Sequence, residues 1–463
     1  MSRADITREP ATGLGLDTDN SVPGSDSPYL DPAVETMPRN ELRALQEARL
    51  LEQVPYVYER SALTQSVWRA AGVHPRDIKS LDDFIERVPF TDKSMIRQFQ
   101  EKTGDRWAGL LCTPPGELGY LATTTGTTGK PTPLPKGRRA PGTPDLDARN
   151  YWMVGLRPGD YLMWFAGTTR GGHAHPGQHY GWTPIFAQLS TLPGSLARLL
   201  EASSRFRPAV LRYMSNPAML ALDNYAKAHD IDVAAALSSY KAVVRGGEPI
   251  SAKAKQLAET WGLEMFDMTG LADIVSVWEC PAHAGHHTWE DAVLVEYIDP
   301  GGNEPVPEGA RQRAELVGTA LVERGGPLVR YRTDDLVTFD LSTCSCGRTH
   351  GRLKTLGRKG DETIVAGRSI LPGDILPLIE SVAATADGLF QIVRTGRYAD
   401  TLKVRVGYDS LRYKEPLSAL RAELTDLLVG ALDVPVEIEL ADGDELLAKA
   451  PPTPTKIPRV VTQ

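Results

Sequence analysis

The sequence predicts an α/β protein, with a large layered unit followed by a small α+β unit at the C-terminal end. Three observations carry this. Short apolar runs alternate with helical patterns between residues 161 and 244. A strand-rich stretch follows between 292 and 339. The last hundred or so residues combine alternating strand patterns with one helix face.

The elements follow in order. Residues 1–35 are rich in Asp, Ser, Gly, Pro and Thr and poor in large apolar residues, so a disordered tail is expected. Residues 39–60 place Leu42, Leu45, Leu51 and Val54 near helical spacing, which predicts an amphipathic helix. The alternating region reads as 161–166, 195–202, 209–214, 216–228 and 242–244, strands and helices in turn. The strand-rich stretch reads as 292–298, 315–323 and 336–339. In the small unit, Leu402, Val404 and Val406 alternate, as do Val434, Val436, Ile438 and Leu440. Leu417, Leu420, Leu424, Leu427 and Ala431 mark the helix face between them. The Gly-Arg-Lys-Gly run at 357–360 is the expected hinge. The expected division is a tail at 1–35, a large domain at 36–358 and a small lid domain at 359–463, with no internal repeat.

Bulk properties exclude several classes. The 463 residues carry 51 basic and 59 acidic side chains, a net charge of -8. That argues against nucleic acid or an anionic membrane as the main partner. No apolar run approaches the roughly eighteen residues that span a bilayer. The N-terminus lacks a basic-then-apolar signal pattern, so a cytoplasmic location is expected. Cys112, Cys280, Cys344 and Cys346 are too few for a disulfide framework. Cys344 and Cys346 are poorly spaced for a disulfide and better suited to metal ligation. Together with Cys280 and one of His283, His286 and His287, they supply three thiolates and an imidazole, a set suited to a closed structural zinc site.

The loop 123–132 reads TTTGTTGKPT and is the most informative segment. Its glycines let backbone N–H groups approach a polyphosphate, and its hydroxyls and lysine add donors. It is no Walker loop. That motif needs a glycine where Thr124 stands, and Lys130 is followed by Pro131, which cannot donate an N–H.

Several motifs in sequence order resemble the phenylacetate–CoA ligase branch of the adenylate-forming enzymes. They are Asp77–Ile78–Lys79–Ser80–Leu81–Asp82–Asp83, Val88–Pro89–Phe90–Thr91–Asp92–Lys93, the loop 123–132, Arg245–Gly246–Gly247–Glu248–Pro249, Tyr331–Arg332–Thr333–Asp334–Asp335–Leu336, Gly357–Arg358 and the terminal segment leading to Lys456. The resemblance runs from about residue 38 to the end. It implies a large adenylate-forming domain with a mobile lid, and roles for named residues. Thr124, Thr125, Gly126, Thr127, Thr128, Gly129 and Lys130 would hold the phosphates of ATP. Gly246, Gly247 and Glu248 would meet the adenine and Asp335 the ribose hydroxyls, and Arg358, at the start of the hinge motif, would also bind the nucleotide. Lys456 would bridge the acid and the α-phosphate. His287 would complete the zinc set with Cys280, Cys344 and Cys346.

There are departures. The family pattern of an aromatic, Gly, any residue, Thr or Ser, then Glu is here Thr269–Gly270–Leu271–Ala272–Asp273. Thr269 replaces the ring that stacks on adenine, Ala272 the hydroxyl, and Asp273 the glutamate that ligates Mg²⁺. The family usually has glycine at Asp334 and at Thr455. The Gly/His-rich stretch with His173, His175 and His179 falls where the family lines its acyl pocket.

The resemblance implies activation of an aromatic carboxylic acid by ATP as an acyl-adenylate, then transfer to the thiol of CoA. The residues alone leave open transfer to a carrier-protein phosphopantetheine or an amine, and a non-catalytic nucleotide-binding protein. A homodimer is compatible with the sequence.

Overall fold

The computed structural model describes residues 24, 26–123, 132–139, 142–164, 177–186, 190–246, 250–271, 273–308, 313–410, 413–448 and 458–462. Two helices at the N-terminal side matter later: the short α1 (Pro32–Glu35) and the long α2 (Arg39–Arg60). A hairpin follows, β1 (Leu118–Thr123) against β2 (Pro133–Gly137), with Thr123 paired to Pro133.

The central sheet is of the parallel α/β kind. Its strands are β3 (Tyr161–Trp164), β4 (Thr183–Phe186), β5 (Val210–Arg212), β6 (Ala242–Gly246), β7 (Met265–Leu271) and β8 (Val275–Trp278), in the order β4-β3-β5-β6-β7-β8. All neighbours are parallel except β7 and β8. The core positions of β3, β5 and β6 are apolar on consecutive residues, as strands covered on both faces require. Helices Pro193–Phe206, Asn216–His229 and Ala252–Trp261 contribute Leu199, Leu222 and Leu257 to one of these layers.

An antiparallel sheet follows, in the order β10-β11-β12-β13-β9, from β9 (His286–His287), β10 (Val293–Ile298), β11 (Ala314–Ala320), β12 (Tyr331–Asp340) and β13 (Arg352–Arg358). Beyond it lie a three-stranded sheet of β14 (Thr363–Val365), β15 (Arg368–Ile370) and β17 (Tyr398–Ala399), and a four-stranded sheet β19-β18-β16-β20. The latter holds β16 (Phe390–Arg394), β18 (Leu402–Tyr408), β19 (Val436–Asp442) and β20 (Val460–Thr462). Val365, Ile392, Val404, Leu424 and Ile438 share a core of their own there. Among the described residues, no helix is long and apolar enough to cross a membrane.

The α/β expectation matches the observed elements, with two shifts of face. Helix Leu417–Leu432 buries Leu420, Leu424 and Leu428, while Leu417 stands exposed. The core stripe is therefore one turn narrower than the leucine pattern suggested. In α2 the buried side is Leu42, Leu50, Val54 and Val57. Gln46 and Gln53 share that side because their amides donate to the carbonyls of Glu290 (3.0 Å) and Glu323 (2.7 Å).

The tail expectation is corrected for its last residues. Segment 27–35 is packed, and Glu35 is fully buried. Its carboxylate accepts from the backbone N–H of Leu30 and Asp31 and from Arg348 Nε (2.7 Å). A polar-rich composition hid this because much of the anchoring is done by charge and backbone, with only Leu30 and Val34 packing as large apolar side chains.

Candidate nucleotide corner, aromatic wall and Cys/His centre

Open parallel sheets bind ligands at the carboxyl ends of their strands, and the motif residues gather there. Gly246 ends β6 beside Met268 of β7. A Cβ at Gly246 would lie 2.7 Å from the Met268 carbonyl oxygen, so only glycine lets the two backbones approach this closely. Thr269 follows on β7, paired with Val277. The chain then turns at Asp273, whose backbone is left-handed (φ 53). Lys136 of β2 reaches over and donates to the carbonyls of Asp273 (3.0 Å) and Ile274 (3.3 Å). This buried lysine ties the hairpin β1–β2 to the Asp273 turn. Nothing in the sequence singled it out, because its partners are backbone carbonyls far along the chain.

Asp335 and Arg358 face each other across β12 and β13. Arg358 Nε lies 3.0 Å from Asp335 Oδ1. Burial pushes the Asp335 carboxyl up to about 6, against the pull of Arg358, and the charge of Asp273 adds to the rise. Tyr331, on the same strand, is likewise raised by burial and by the charges of Asp273 and Asp334. Asp334 takes the left-handed backbone (φ 62) that a glycine would adopt there without strain. The departure from glycine at this position thus keeps the turn.

The raised Asp335 carboxyl has a consequence for stability. Its folded value exceeds the ordinary 3.8, so the native state binds the proton more tightly, and stability falls as pH rises from about 4 through 6. Asp335→Asn removes that penalty. It is expected to stabilise the protein above pH 6, by at most about 3 kcal/mol, and to make no difference near pH 4. Denaturant unfolding of both proteins at the two pH values checks this.

Of the remaining sequence-predicted nucleotide residues, Thr124, Thr125, Gly126, Thr127, Thr128, Gly129, Lys130, Gly247, Glu248 and Lys456 lie outside the described residues, as do Ala272, His173 and His175. His179 is exposed, with its ring against Tyr180.

Beside the nucleotide corner stands a row of rings. Trp164 ends β3, Phe186 ends β4 and Tyr213 follows β5. The Trp164 ring centre is 5.8 Å from that of Phe186 and 6.2 Å from that of Tyr213. Phe186 is 64% exposed, and Tyr213 holds a left-handed backbone (φ 71). An exposed phenylalanine and a strained tyrosine at one sheet edge are costly for folding alone. No sequence pattern announces this wall, since its rings lie at the ends of three separate strands.

The four predicted metal ligands converge. One donor atom from each of Cys280, His287, Cys344 and Cys346 lies within 4.8 Å of every other. Cys280 Sγ and Cys344 Sγ are 3.7 Å apart, and Cys346 Sγ and His287 Nε2 are 3.4 Å apart. A tetrahedral zinc with Zn–S bonds of about 2.3 Å needs S–S edges of about 3.8 Å, so the donor set fits that ion. His287 Nδ1 is 3.1 Å from the His350 carbonyl oxygen, which leaves Nε2 as the ligating atom. Arg348 Nη1 lies 3.6 Å from Cys346 Sγ. Hydrogen bonds from Cys280 and His287 hold the Cys346 thiol well below its ordinary value.

His283 and His286 are otherwise engaged. His283 lies 3.3 Å from Glu264. His286 Nε2 is 3.3 Å from Asp267, which is 2.9 Å from Arg245 at the end of β6.

No protein-family model matches the chain. Phenylacetate–coenzyme A ligase of Thermus thermophilus is 31% identical to it over 394 residues, covering 83% of this chain and 85% of that one. Among solved structures, 2-hydroxyisobutyryl-CoA ligase in its postadenylation state with 2-HIB-AMP superposes with a TM-score of 0.80 at 25% identity, covering 96% of this chain and 94% of that one. The same ligase with 2-HIB-AMP and CoA in the thioesterification state gives 0.65 over the same shares.

Proposed function

The chain belongs to the phenylacetate–coenzyme A ligase family of adenylate-forming enzymes, and from that premise we propose which acid it takes and which residues handle it. The enzyme is an AMP-forming acid–thiol ligase. A carboxylate oxygen bonds to the α-phosphorus of ATP and pyrophosphate leaves. The thiol of CoA then attacks the acyl carbon, and AMP leaves.

The acid in our reading is an aromatic one. The observation that carries this is the ring wall of Trp164, Phe186 and Tyr213 at the carboxyl edge of the central sheet. Offset and edge-on packing of an arene against such rings adds to its burial energy. The test is ATP–pyrophosphate exchange with a panel of aryl, arylacetic and alkanoic acids. Exchange with alkanoic acids only would sink the aromatic assignment, and exchange with none would sink adenylation.

Asp335 is the residue we assign to the ribose hydroxyls, since a carboxylate offers paired acceptors. Arg358 occupies one of its oxygens here, so nucleotide and hinge arginine compete for the same group. Asp335→Asn is expected to raise KM for ATP about 10- to 100-fold, the loss of charge-assisted hydrogen bonds. An unchanged KM in steady-state kinetics would remove the ribose role. Asp273 supplies a hard carboxylate for Mg²⁺, which when bound would neutralise phosphate charge. Lys136 fixes the turn that carries it. The loop 124–130 takes the phosphates, and Gly246 with Gly247 and Glu248 flanks the adenine.

We assign the lid to residues 359–463, turning at 357–360. Its separate core supports this, as does the fall in TM-score from 0.80 to 0.65 between two states of one ligase. In the present arrangement Glu380 accepts from the Ala252 backbone N–H (2.9 Å), and Arg313 lies 3.1 Å from Asp374. These contacts must break if the lid turns. Use of ATP and CoA, and four free cysteines, fit a cytoplasmic setting.

A further inference from the structure

Six arginines are buried among the described residues: Arg149, Arg212, Arg245, Arg330, Arg348 and Arg352. Five have a carboxylate. Arg149 pairs with Asp291 (2.8 Å), Arg245 with Asp267 (2.9 Å), Arg330 with Glu296 (2.6 Å), Arg348 with Glu35 (2.7 Å) and Arg352 with Asp340 (2.8 Å). Arg212 is the exception. It is 1% exposed, and no carboxylate of the described residues lies within 4.0 Å of it; the charge of Asp147 favours its charged form only from beyond that distance.

What surrounds Arg212 is aromatic. Its guanidinium carbon lies 4.5 Å from the Trp164 ring centre, 4.7 Å from Tyr213, and 5.4 Å from both Tyr151 and Trp278. Nη1 donates to the Tyr151 hydroxyl (2.6 Å) and Nη2 to that of Tyr213 (3.3 Å). Nε is buried and donates to nothing among the described residues. Ring faces and phenol oxygens solvate a cation only in part, and a buried charge without an anion is strongly disfavoured. An arginine donates through a planar edge that matches paired oxygen acceptors.

Its position gives the occupant's orientation. Arg212 pairs in register with Val244, two residues before Gly246 at the end of β6. It therefore lies roughly 7 Å back from the edge where the nucleotide is assigned. Two of its four rings, Trp164 and Tyr213, belong to the proposed acyl wall. A group reaching Arg212 is the distal end of the acid, not its reacting carboxylate.

We infer that Arg212 is a specificity-determining residue that receives a hydrogen-bond-accepting oxygen on the ring of the acid. This rests on the aromatic-acid reading and narrows it. The substrate is an arene with a hydroxyl or second carboxylate remote from the carboxyl group that is activated. An acid with an unsubstituted or methyl-bearing ring leaves the Nε–H without an acceptor and is rejected.

The experiment is ATP–pyrophosphate exchange by the full chain. The acids are benzoate and phenylacetate with a ring hydroxyl, a ring carboxylate, or a methyl of similar size. The expected kcat/KM favours an oxygen-bearing acid over its methyl counterpart by about 30-fold, the worth of a charge-assisted hydrogen bond. The hydroxyl and carboxylate arms tell which oxygen is preferred. Arg212→Met is expected to bring that ratio within about threefold, and Arg212→Lys to retain part of it. Wild-type enzyme that does not discriminate overturns the inference, whether or not the variants fold. So does Arg212→Met lowering both acids equally, the mark of a merely structural arginine. Exchange with aryl acids but without preference ends this inference alone. Exchange with no acid ends the adenylation reading and this inference with it.

Discussion

Lys456→Ala is expected to slow acyl-adenylate formation about 10²- to 10³-fold while leaving thiolysis of a preformed adenylate within about threefold of normal. The size is that of removing one preorganised charge from a developing oxyanion. The lysine's assigned task is to neutralise the acid oxygen and the α-phosphate as the bond between them forms, a need that disappears once the adenylate exists. Lys456 lies outside the described residues, but the chain just after it is anchored. Val460 pairs with Ile392 and Thr462 with Arg394 in parallel register. The Arg459 carbonyl accepts from the Ile392 N–H (2.7 Å), and Arg459 Nη1 donates to the Gly388 carbonyl (2.6 Å). Residues 460–462 therefore belong to the sheet of the small unit, and in our reading a turn of that unit would carry the lysine with it. Pyrophosphate exchange reads the first step and single-turnover transfer to CoA the second. Equal loss in both would contradict the role.

Cys344→Ser is expected to cost the protein one bound zinc and to lower its melting temperature by about 5–10 °C. Metal bound only by the folded state adds its binding energy, about 10 kcal/mol for a structural zinc, to folding, and each kcal/mol lost moves the transition by about 1 °C in a chain of this size. The effect is large because the centre joins three remote segments. Cys280 and His287 come from one, Cys344 and Cys346 from another. The third is the N-terminal stretch. Tyr29 donates to the Cys346 carbonyl (2.9 Å), and Arg348 bonds Glu35 and the Pro28 carbonyl (2.8 Å). His350 Nε2 is 3.0 Å from the Val34 carbonyl oxygen. Loss of the metal should therefore expose residues 27–37 to protease before the rest of the chain unfolds. Elemental analysis, calorimetry and limited proteolysis read these outcomes. Purified wild-type protein that holds no metal, or a variant that melts together with the wild type, would falsify a structural metal.

Some of the site was legible in the sequence because its parts are short and contiguous. Tyr331–Leu336 places Asp335 on a strand end by itself, and Gly357–Arg358 is two residues long, so the pair across β12 and β13 needed only the sheet to bring them opposite. The Cys–x–Cys spacing likewise announced a ligand pair. His287 was separable from His286 only by resemblance, because adjacent strand residues point to opposite faces. The fold puts one imidazole on the thiols and the other on Asp267.

Other parts were not legible. Lys136 acts on backbone carbonyls of Asp273 and Ile274, more than a hundred residues away, which leave no side-chain signature. Glu35 belongs to a polar stretch that composition assigns to a tail, yet its buried carboxylate answers Arg348. The rings of Trp164, Phe186, Tyr213 and Trp278 are scattered over more than a hundred residues, and no period connects them.

The sequence by itself determined the class of the fold, the family of chemistry and the motifs we assign to ATP, because those depend on local pattern and are read within a few residues. Only the tertiary structure decided what His286 does instead, that Arg358 already holds Asp335, and that, among the described residues, one buried arginine of six has no carboxylate at ion-pair distance. The physical reason is the same in each case. A charge's partner and a pocket's wall are set by which strands lie side by side, and strand order is not written in the spacing of residues along the chain.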